Sequence, residues 1–284
     1  MFRTCQSSGM DDWRRPAAAA AAAVAQRSGV SHHDAVVVLG SGWAVAAEQL
    51  GRPVAEVETK DLPGFVAPAA PGHAGVVRSY DLDGSPVLAF LGRTHLFEGH
   101  GPGPVAHAVR TAAAAGCRVA VLTNASGSLR PDWAPGTGVL IADHLNLSGT
   151  SPLVGPRFVD LTDCWSSRLR ERARTLDPSL VKGVYAMMSG PVVQTAAETR
   201  MLRVLGADVV GMSTVLEAIA AREVGMELVG FSATTTVEAN GQPLDPDAVV
   251  AIGEATARRL GPVIANLLLA ESTRRTTATT KGFR

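Results

Sequence analysis

The chain has 284 residues, 46% hydrophobic and 18% charged, ample material for one large buried core. Lys plus Arg and Asp plus Glu both total 26, so no basic excess exists to neutralise a nucleic-acid backbone or an anionic membrane. Cys5, Cys117 and Cys164 form no CxxC pair, which points to a reduced, cytoplasmic setting, and no apolar run is long enough to span a bilayer.

The first dozen residues are expected to be disordered. Ala17–Ala23, behind Arg14 and Arg15, reads as a helix and not a signal peptide, because alanine is a strong helix former and a weak hydrophobe. Val36–Leu39 is the first strand, and Gly40-Ser41-Gly42 links it to a helix-like run, Ala44–Leu50. The loop Gly64–Gly75, with Pro68 and Pro71, is a candidate lid. Further strands are expected at Val87–Leu91, Val119–Thr123, Val139–Ala142, Val184–Met188, Val209–Met212 and Leu228–Ser232. All are continuous apolar runs, the pattern of strands covered on both faces in an α/β sheet. Pro104–Ala115 reads as a helix between two of them. Thr195 with Glu198 and Thr214 with Glu217 have capping-box spacing and predict two helix starts. Ala248–Ala270 is the longest helical pattern, and the Thr-rich segment from 273 to 284 is expected to be disordered. Nothing marks a second domain, so 1–284 reads as a single α/β domain.

The strands end in unusual residues: Gly40-Ser41-Gly42, Gly92-Arg93-Thr94-His95, Thr123–Gly127, Asp143-His144, Ser189-Gly190-Pro191, Met212-Ser213-Thr214 and Ser232–Thr236. Ligands of open α/β sheets bind outside the carboxyl ends of strands. Gly40-Ser41-Gly42 could bring backbone N–H groups and a hydroxyl against an anion, or could be a plain tight turn. It matches neither a P-loop nor a complete GxGxxG. Arg93 and His95 are placed to face one side, where Arg93 offers a planar fork to phosphate oxygens and His95 a donor to phosphate or a sugar hydroxyl. The plainer alternative is a surface Arg and a structural His. No HExxH suggests zinc.

The ordered motifs Val38–Trp43, Leu62–Phe65, Gly72–Gly75, Gly92–Gly99, Leu122–Gly127, His144–Leu147, Gly155–Asp163 and Leu205–Val215 resemble trimeric purine nucleoside phosphorylases, especially the actinobacterial type. The resemblance covers about Val30 to Leu269. It implies a mixed central β-sheet flanked by helices, a homotrimer, and phosphorolysis of a nucleoside to free base and (deoxy)ribose 1-phosphate. Inorganic phosphate would be co-substrate, with no metal or organic cofactor. Ser41, Arg93, His95, Asn124, Ala125 and Ser213 match the family's phosphate positions. Met212 matches the residue beneath the ribose and His73 the histidine on the mobile loop over the phosphate. Phe158 lies in the loop that lends an aromatic to the neighbouring subunit's sugar pocket.

The base and sugar positions depart from this pattern. The family's Gly-Pro-x-x-Glu-Thr reads Gly190-Pro191-Val192-Val193-Gln194-Thr195, so the glutamate that accepts from N1–H of a 6-oxopurine is Gln194. Its Thr-Asn pair reads Thr235-Thr236, placing Thr236 where an asparagine contacts N7 and the 6-position. A usual Tyr is Phe97, the histidine near the 5′-hydroxyl aligns with Pro246, and Ala69 precedes the lid motif in place of Ser or Thr. His95, Gln194 and Thr236 are the expected catalytic positions; His73, Phe97, Phe158, Gln194, Met212, Thr236 and Pro246 the substrate-binding ones. Since losing a required buried hydrogen bond costs about 1–3 kcal/mol, a preference shifted away from 6-oxopurines is expected. Gln194 brings an NH2 donor, which suits adenine N1. A catalytically weak purine-binding paralogue and a methylthioadenosine phosphorylase-like activity are the alternatives; phosphate-independent hydrolysis would leave Arg93, His95 and Ser213 without an anion. Glu238, two residues past Thr236, shares its face of an extended segment and reads more readily as a solvated loop carboxylate than as a substitute for the lost acid.

Overall fold

A computed structural model describes residues 13–238 and 245–281, the side chains of Pro246 and of 273–281 excepted. The alanine-rich run is helix α1 (Arg14–Ser28), which buries Ala17, Ala20, Ala21 and Val24, the i, i+3, i+4, i+7 stripe of one helical face. Strand β1 (Ala35–Leu39) is buried along its whole length and pairs in parallel with β4 (Ser85–Leu91) on one side and β5 (Val119–Ser128) on the other. A continuous Val-Val-Val-Leu run suits that double cover. Antiparallel strands β2 (Ala55–Glu58) and β3 (Val76–Leu82) extend the sheet beyond β4, and the sequence reading contained neither.

Helix α2 (Pro102–Ala114) precedes β5, and β6 (Gly138–Asn146) follows it. Then come α3 (Ser167–Leu176), β7 (Val181–Met187), α4 (Ala196–Val204), β8 (Val209–Gly211), α5 (Val215–Glu223), β9 (Glu227–Val237) and α6 (Pro246–Lys281). The nine strands form one mixed sheet in the order β2-β3-β4-β1-β5-β8-β7-β6-β9, and β9 also pairs with β5. That last pairing curls the second half into a closed ring, β5-β8-β7-β6-β9, whose parallel β5–β9 ladder carries an irregularity between Ser126 and Gly127.

Helices α1, α2 and α5 cover one face, burying Val24, Val109 and Ile219 with Val36, Leu122 and Leu228. Helices α3 and α6 and the short 3-10 turn Ala44–Leu50 cover the other, burying Leu169, Leu260 and Leu50 with Val37, Val121 and Val229. The expected mixed α/β architecture is therefore present. Among the described residues no helix is long and apolar enough to cross a membrane.

Two boundaries differ from expectation. The strands run past their apolar stretches: Asn124 and Ala125 belong to β5 and Thr236 to β9, where loops were anticipated. Polar side chains satisfy one another inside the ring, Ser126 Oγ with Ser232 Oγ at 2.6 Å and Ser232 Oγ donating to Asn124 Oδ1 at 2.6 Å, so the ladder continues through them. Helix α6 also continues to Lys281, through the Thr-rich segment read as disordered. The expectation for residues 1–12 lies outside the described residues.

Candidate active site

A cavity of about 290 Å³ opens at the carboxyl ends of β1, β5 and β9. Ser41, Arg93, His95, Phe97, Asn124, Ala125, Gln194, Met212, Ser213 and Thr236 all line it, so residues spread over almost 200 positions meet in one place. His73 stands just behind that lining. Phe158 is on the loop between β6 and α3, 98% exposed and away from the cavity. Pro246 opens α6, whose Val249 reaches the cavity; the Pro246 side chain lies outside the described residues.

The site is built from the turn after β1 outward. Buried Trp43 donates Nε1–H to the Asn124 carbonyl at 2.8 Å, fixing the β5 backbone beneath Ser41. His73 Nδ1 accepts the Arg93 backbone N–H at 2.8 Å, so its proton sits on Nε2 and is donated to Ser41 Oγ, also at 2.8 Å. Gly92 permits this approach. Its φ is +98°, and a Cβ there would lie 2.7 Å from His73 Cβ.

Arg93 is almost fully buried. Nη1 donates to Ser213 Oγ at 3.1 Å and Thr214 Oγ1 at 3.2 Å; Nη2 donates to the carbonyls of Thr123 at 2.7 Å and Val38 at 3.3 Å. Nε lies 3.3 Å from Glu217 Oε1, an ion pair that falls short of hydrogen-bond alignment. Both Nη groups of the fork expected to grip phosphate are thus bonded within the protein in this structure, while Nε faces Glu217 as an ion pair, and Arg93 brings its charge to the cavity. The physical reason is depth: a guanidinium this buried must satisfy its donors locally. Burial pushes the Glu217 carboxyl up, against the pull of Arg93 and of the Thr214 N–H that Glu217 Oε2 accepts at 3.1 Å.

Thr214 is the hub beside it. Its φ of +77° is rare for a β-branched residue, and Val215 N–H donates back to Ser213 O at 2.9 Å, closing a tight γ-turn. Thr214 Oγ1 also accepts from Asn124 Nδ2 at 2.9 Å. Such strain concentrates where surrounding bonds over-determine it. Neither Thr214 nor Glu217 was read as part of the site; their capping-box spacing signalled only a helix start.

Glu98 is a third residue that sequence reasoning missed. Oε1 accepts the His95 backbone N–H at 2.7 Å and lies 3.1 Å from His95 Nδ1, while Oε2 accepts the Ala69 N–H of the lid at 2.9 Å. Burial would raise its carboxyl, but these donors hold it below the usual range. A carboxylate only accepts, so Nδ1 carries the His95 proton and Nε2 keeps its lone pair. Burial lowers His95 to about 4, with Arg93's charge adding and Glu98 opposing. Burial likewise lowers His73 to about 3, helped by His95 and Arg93. The two imidazoles meet edge to face at 4.7 Å, and His95 stacks on Phe97 at 4.7 Å, so the Phe97 found in place of Tyr still holds an aromatic surface against the site.

Gln194 and Thr236 line the same cavity, joined by Ser126, Gly127, Val193, Thr235 and Glu238. Glu238 is half-buried and accepts the Thr236 hydroxyl at 2.8 Å, so the reading of it as a solvated loop carboxylate does not hold. Among the described residues no group of three or more His, Cys, Asp or Glu is arranged to hold a metal ion.

A family model described as Phosphorylase superfamily matches residues 34–269. The chain is 51% identical over 251 residues to the purine nucleoside phosphorylase of Mycobacterium tuberculosis, covering 88% of this chain and 94% of that protein. It is 51% identical over 258 residues to the purine nucleoside phosphorylase of a Cellulomonas species, covering 88% and 92%. Isoform 2 of Schistosoma mansoni purine nucleoside phosphorylase, solved with cytosine and ribose-1-phosphate, superposes with a TM-score of 0.82 at 28% identity, covering 89% of this chain and 95% of that one. The Schistosoma mansoni enzyme solved with adenosine superposes with a TM-score of 0.81 at 26% identity, covering 89% and 96%. From the match across residues 34–269 and half-identity to these enzymes over nearly their whole length, the chain belongs to the phosphorylase superfamily, in its purine nucleoside phosphorylase branch.

Proposed function

We propose that this protein uses inorganic phosphate to split a purine nucleoside into free base and (deoxy)ribose 1-phosphate, with its preference moved from 6-oxopurines toward aminopurines. The observation that carries this reading is the single cavity in which Ser41, Arg93, His95, Asn124, Ala125 and Ser213 face Gln194, Met212 and Thr236. As the bond from the anomeric carbon to the base breaks, its electron pair leaves with the base and positive charge builds on the sugar. A phosphate oxygen held against that carbon stabilises the charge and then bonds to it, while the departing base takes up a proton, balanced by the one that monoprotonated phosphate gives up in becoming the sugar phosphate. The residues work by position and fixed electrostatics. Arg93 supplies the charge, the Ser41 and Ser213 hydroxyls the donors. His95 Nε2, with its lone pair, would accept the hydroxyl of monoprotonated phosphate. No metal or organic cofactor has a step in this scheme.

Gln194 and Thr236 support the shifted preference, since an amide NH2 can meet the N1 acceptor of adenine, whereas N1 of hypoxanthine carries a proton. The motif resemblance to trimeric phosphorylases supports a homotrimer, the sparse unpaired cysteines support a reduced, cytoplasmic setting, and the exposed Phe158 suits a role in a neighbouring copy's sugar site. The test is phosphate-dependent release of free base from inosine, guanosine, adenosine and 5′-deoxy-5′-methylthioadenosine, with sedimentation to give the mass. Adenosine or its methylthio analogue should turn over best, and only with phosphate, from a particle of three chains. Inosine turning over best would overturn the shift; base release without phosphate would overturn the reaction.

A further inference from the structure

Glu238 follows directly on β9, and two contacts place its carboxylate. Oε1 accepts the Thr236 hydroxyl at 2.8 Å. The side chain also lies flat against Gly127 of β5, where a Cβ would fall 2.3 Å from Oε1 and 2.5 Å from Cγ. The space for this carboxylate is therefore the side chain that Gly127 lacks. The cavity's guanidinium, Arg93, is engaged with Glu217, and among the described residues no ion pair joins Glu238 to a cation.

The hydrogen-bond inventory then constrains the ligand. Thr236 has one hydroxyl proton and gives it to Glu238. Toward the cavity the pair presents lone pairs only, on Glu238 Oε2 and Thr236 Oγ1. A base edge docked there must bring N–H groups. A 6-amino group does so. A 6-carbonyl would set its own lone pairs against a carboxylate, leaving both unsatisfied and mutually repelled. Gln194 in the same cavity has the NH2 donor that a 6-aminopurine's N1 needs, so the two positions complement one pattern of donors and acceptors.

We infer that Glu238, oriented by Thr236, is the residue that determines base specificity, and that it accepts from the exocyclic 6-amino group of an aminopurine nucleoside. This rests on the nucleoside phosphorylase reading above and adds the group that makes the choice. The test compares wild type, Glu238→Gln and Glu238→Ala for kcat/KM with adenosine, inosine and guanosine at saturating phosphate, with the KM for phosphate as reference. Glutamine keeps the shape but can turn an NH2 toward a 6-carbonyl. It should lower the adenosine-to-inosine ratio at least tenfold, and alanine should lower adenosine alone, while the KM for phosphate stays within about twofold. A ratio unchanged in both variants overturns the proposal. So does a loss confined to guanosine, which would assign the carboxylate to the N1–H and 2-amino edge. Calorimetric binding of free adenine and hypoxanthine reads the same ratio without turnover. Absent phosphorolysis with a tenfold adenine preference that Glu238→Gln abolishes would sink the reaction and retain the site; equal binding of both bases by wild type would sink the site.

Discussion

With every N–H of its guanidinium bonded or paired inside the protein, Arg93 acts on a ligand as a positioned charge, and Ser213 is the group that hands this charge on. Glu217 is what allows such a charge to be buried. Removing one member of a buried pair leaves the other uncompensated, which costs about 3–5 kcal/mol. Glu217→Gln should therefore destabilise the protein by roughly that amount in urea unfolding, whereas Arg93→Met with Glu217→Leu should recover much of it and lose activity. An unshifted midpoint for Glu217→Gln would mean that the two side chains do not form an ion pair. The base end of the cavity follows a different logic: Thr236 and Glu238 are half-buried, and with the Thr236 proton given to Glu238 they offer lone pairs, a surface suited to choosing between ligands more than to holding the fold.

At the scale of elements, the lid 64–75 is tied to the site twice, through His73 to Ser41 and Arg93 and through the Ala69 N–H to Glu98. Glu98 also sets the tautomer of His95, so one carboxylate couples lid position to the state of a cavity imidazole. Glu98→Ala should release both. The expected outcome is a KM for phosphate raised about tenfold, the size of one lost charge-assisted hydrogen bond, together with faster amide exchange across 64–75. Raised KM without faster exchange would confine the role of Glu98 to His95. The γ-turn at Thr214 is the other element-level device. It ends β8 and starts α5 with almost no intervening chain, aiming Ser213 Oγ at the cavity while α5 carries Glu217 back to Arg93.

For the whole molecule, imidazoles lowered by burial contribute to the loss of stability in acid. His73 titrates at about 3 and His95 at about 4, and His33, lowered to about 4 by burial with His32 adding, bonds Ser79 in the core at 2.8 Å. Each lies below the ordinary 6.5, so as pH falls the unfolded chain takes up protons before the folded one. Their stabilisation is complete above about pH 6.5 and is lost as pH drops toward 4, with a slope of up to about 1.4 kcal/mol per pH unit for each of His73 and His95. Melting temperatures should fall steeply between pH 6.5 and 5 and be flat from 7 to 8. His73→Asn should shallow that slope; an unchanged slope would place His73 outside the transition.

Much of this molecule was legible because apolar runs and helix caps are local signals. β1, Val87–Leu91 of β4, Ala120–Leu122 of β5 and Tyr185–Met187 of β7 are apolar runs buried on both faces, and Thr195 with Glu198 closes a complete capping box at 2.7 and 3.2 Å. The β2–β3 pair escaped because only Val57 of β2 is buried and β3 mixes Arg78, Ser79 and Asp81 into its run. Helix α3 escaped because Leu169 and Ala173 are its only buried residues among several charges. The sequence by itself determined the set of chemical groups and the strand ends from which they project, since periodicity and residue type are properties of the chain. Only the tertiary structure decided how those groups are spent. Arg93 could be a free fork or one whose Nη groups are bonded within the protein, and Glu238 a solvated carboxylate or a lining one; each outcome depends on atoms brought from Val38, Thr123, Thr214 and Gly127, which a one-dimensional reading cannot place at contact distance.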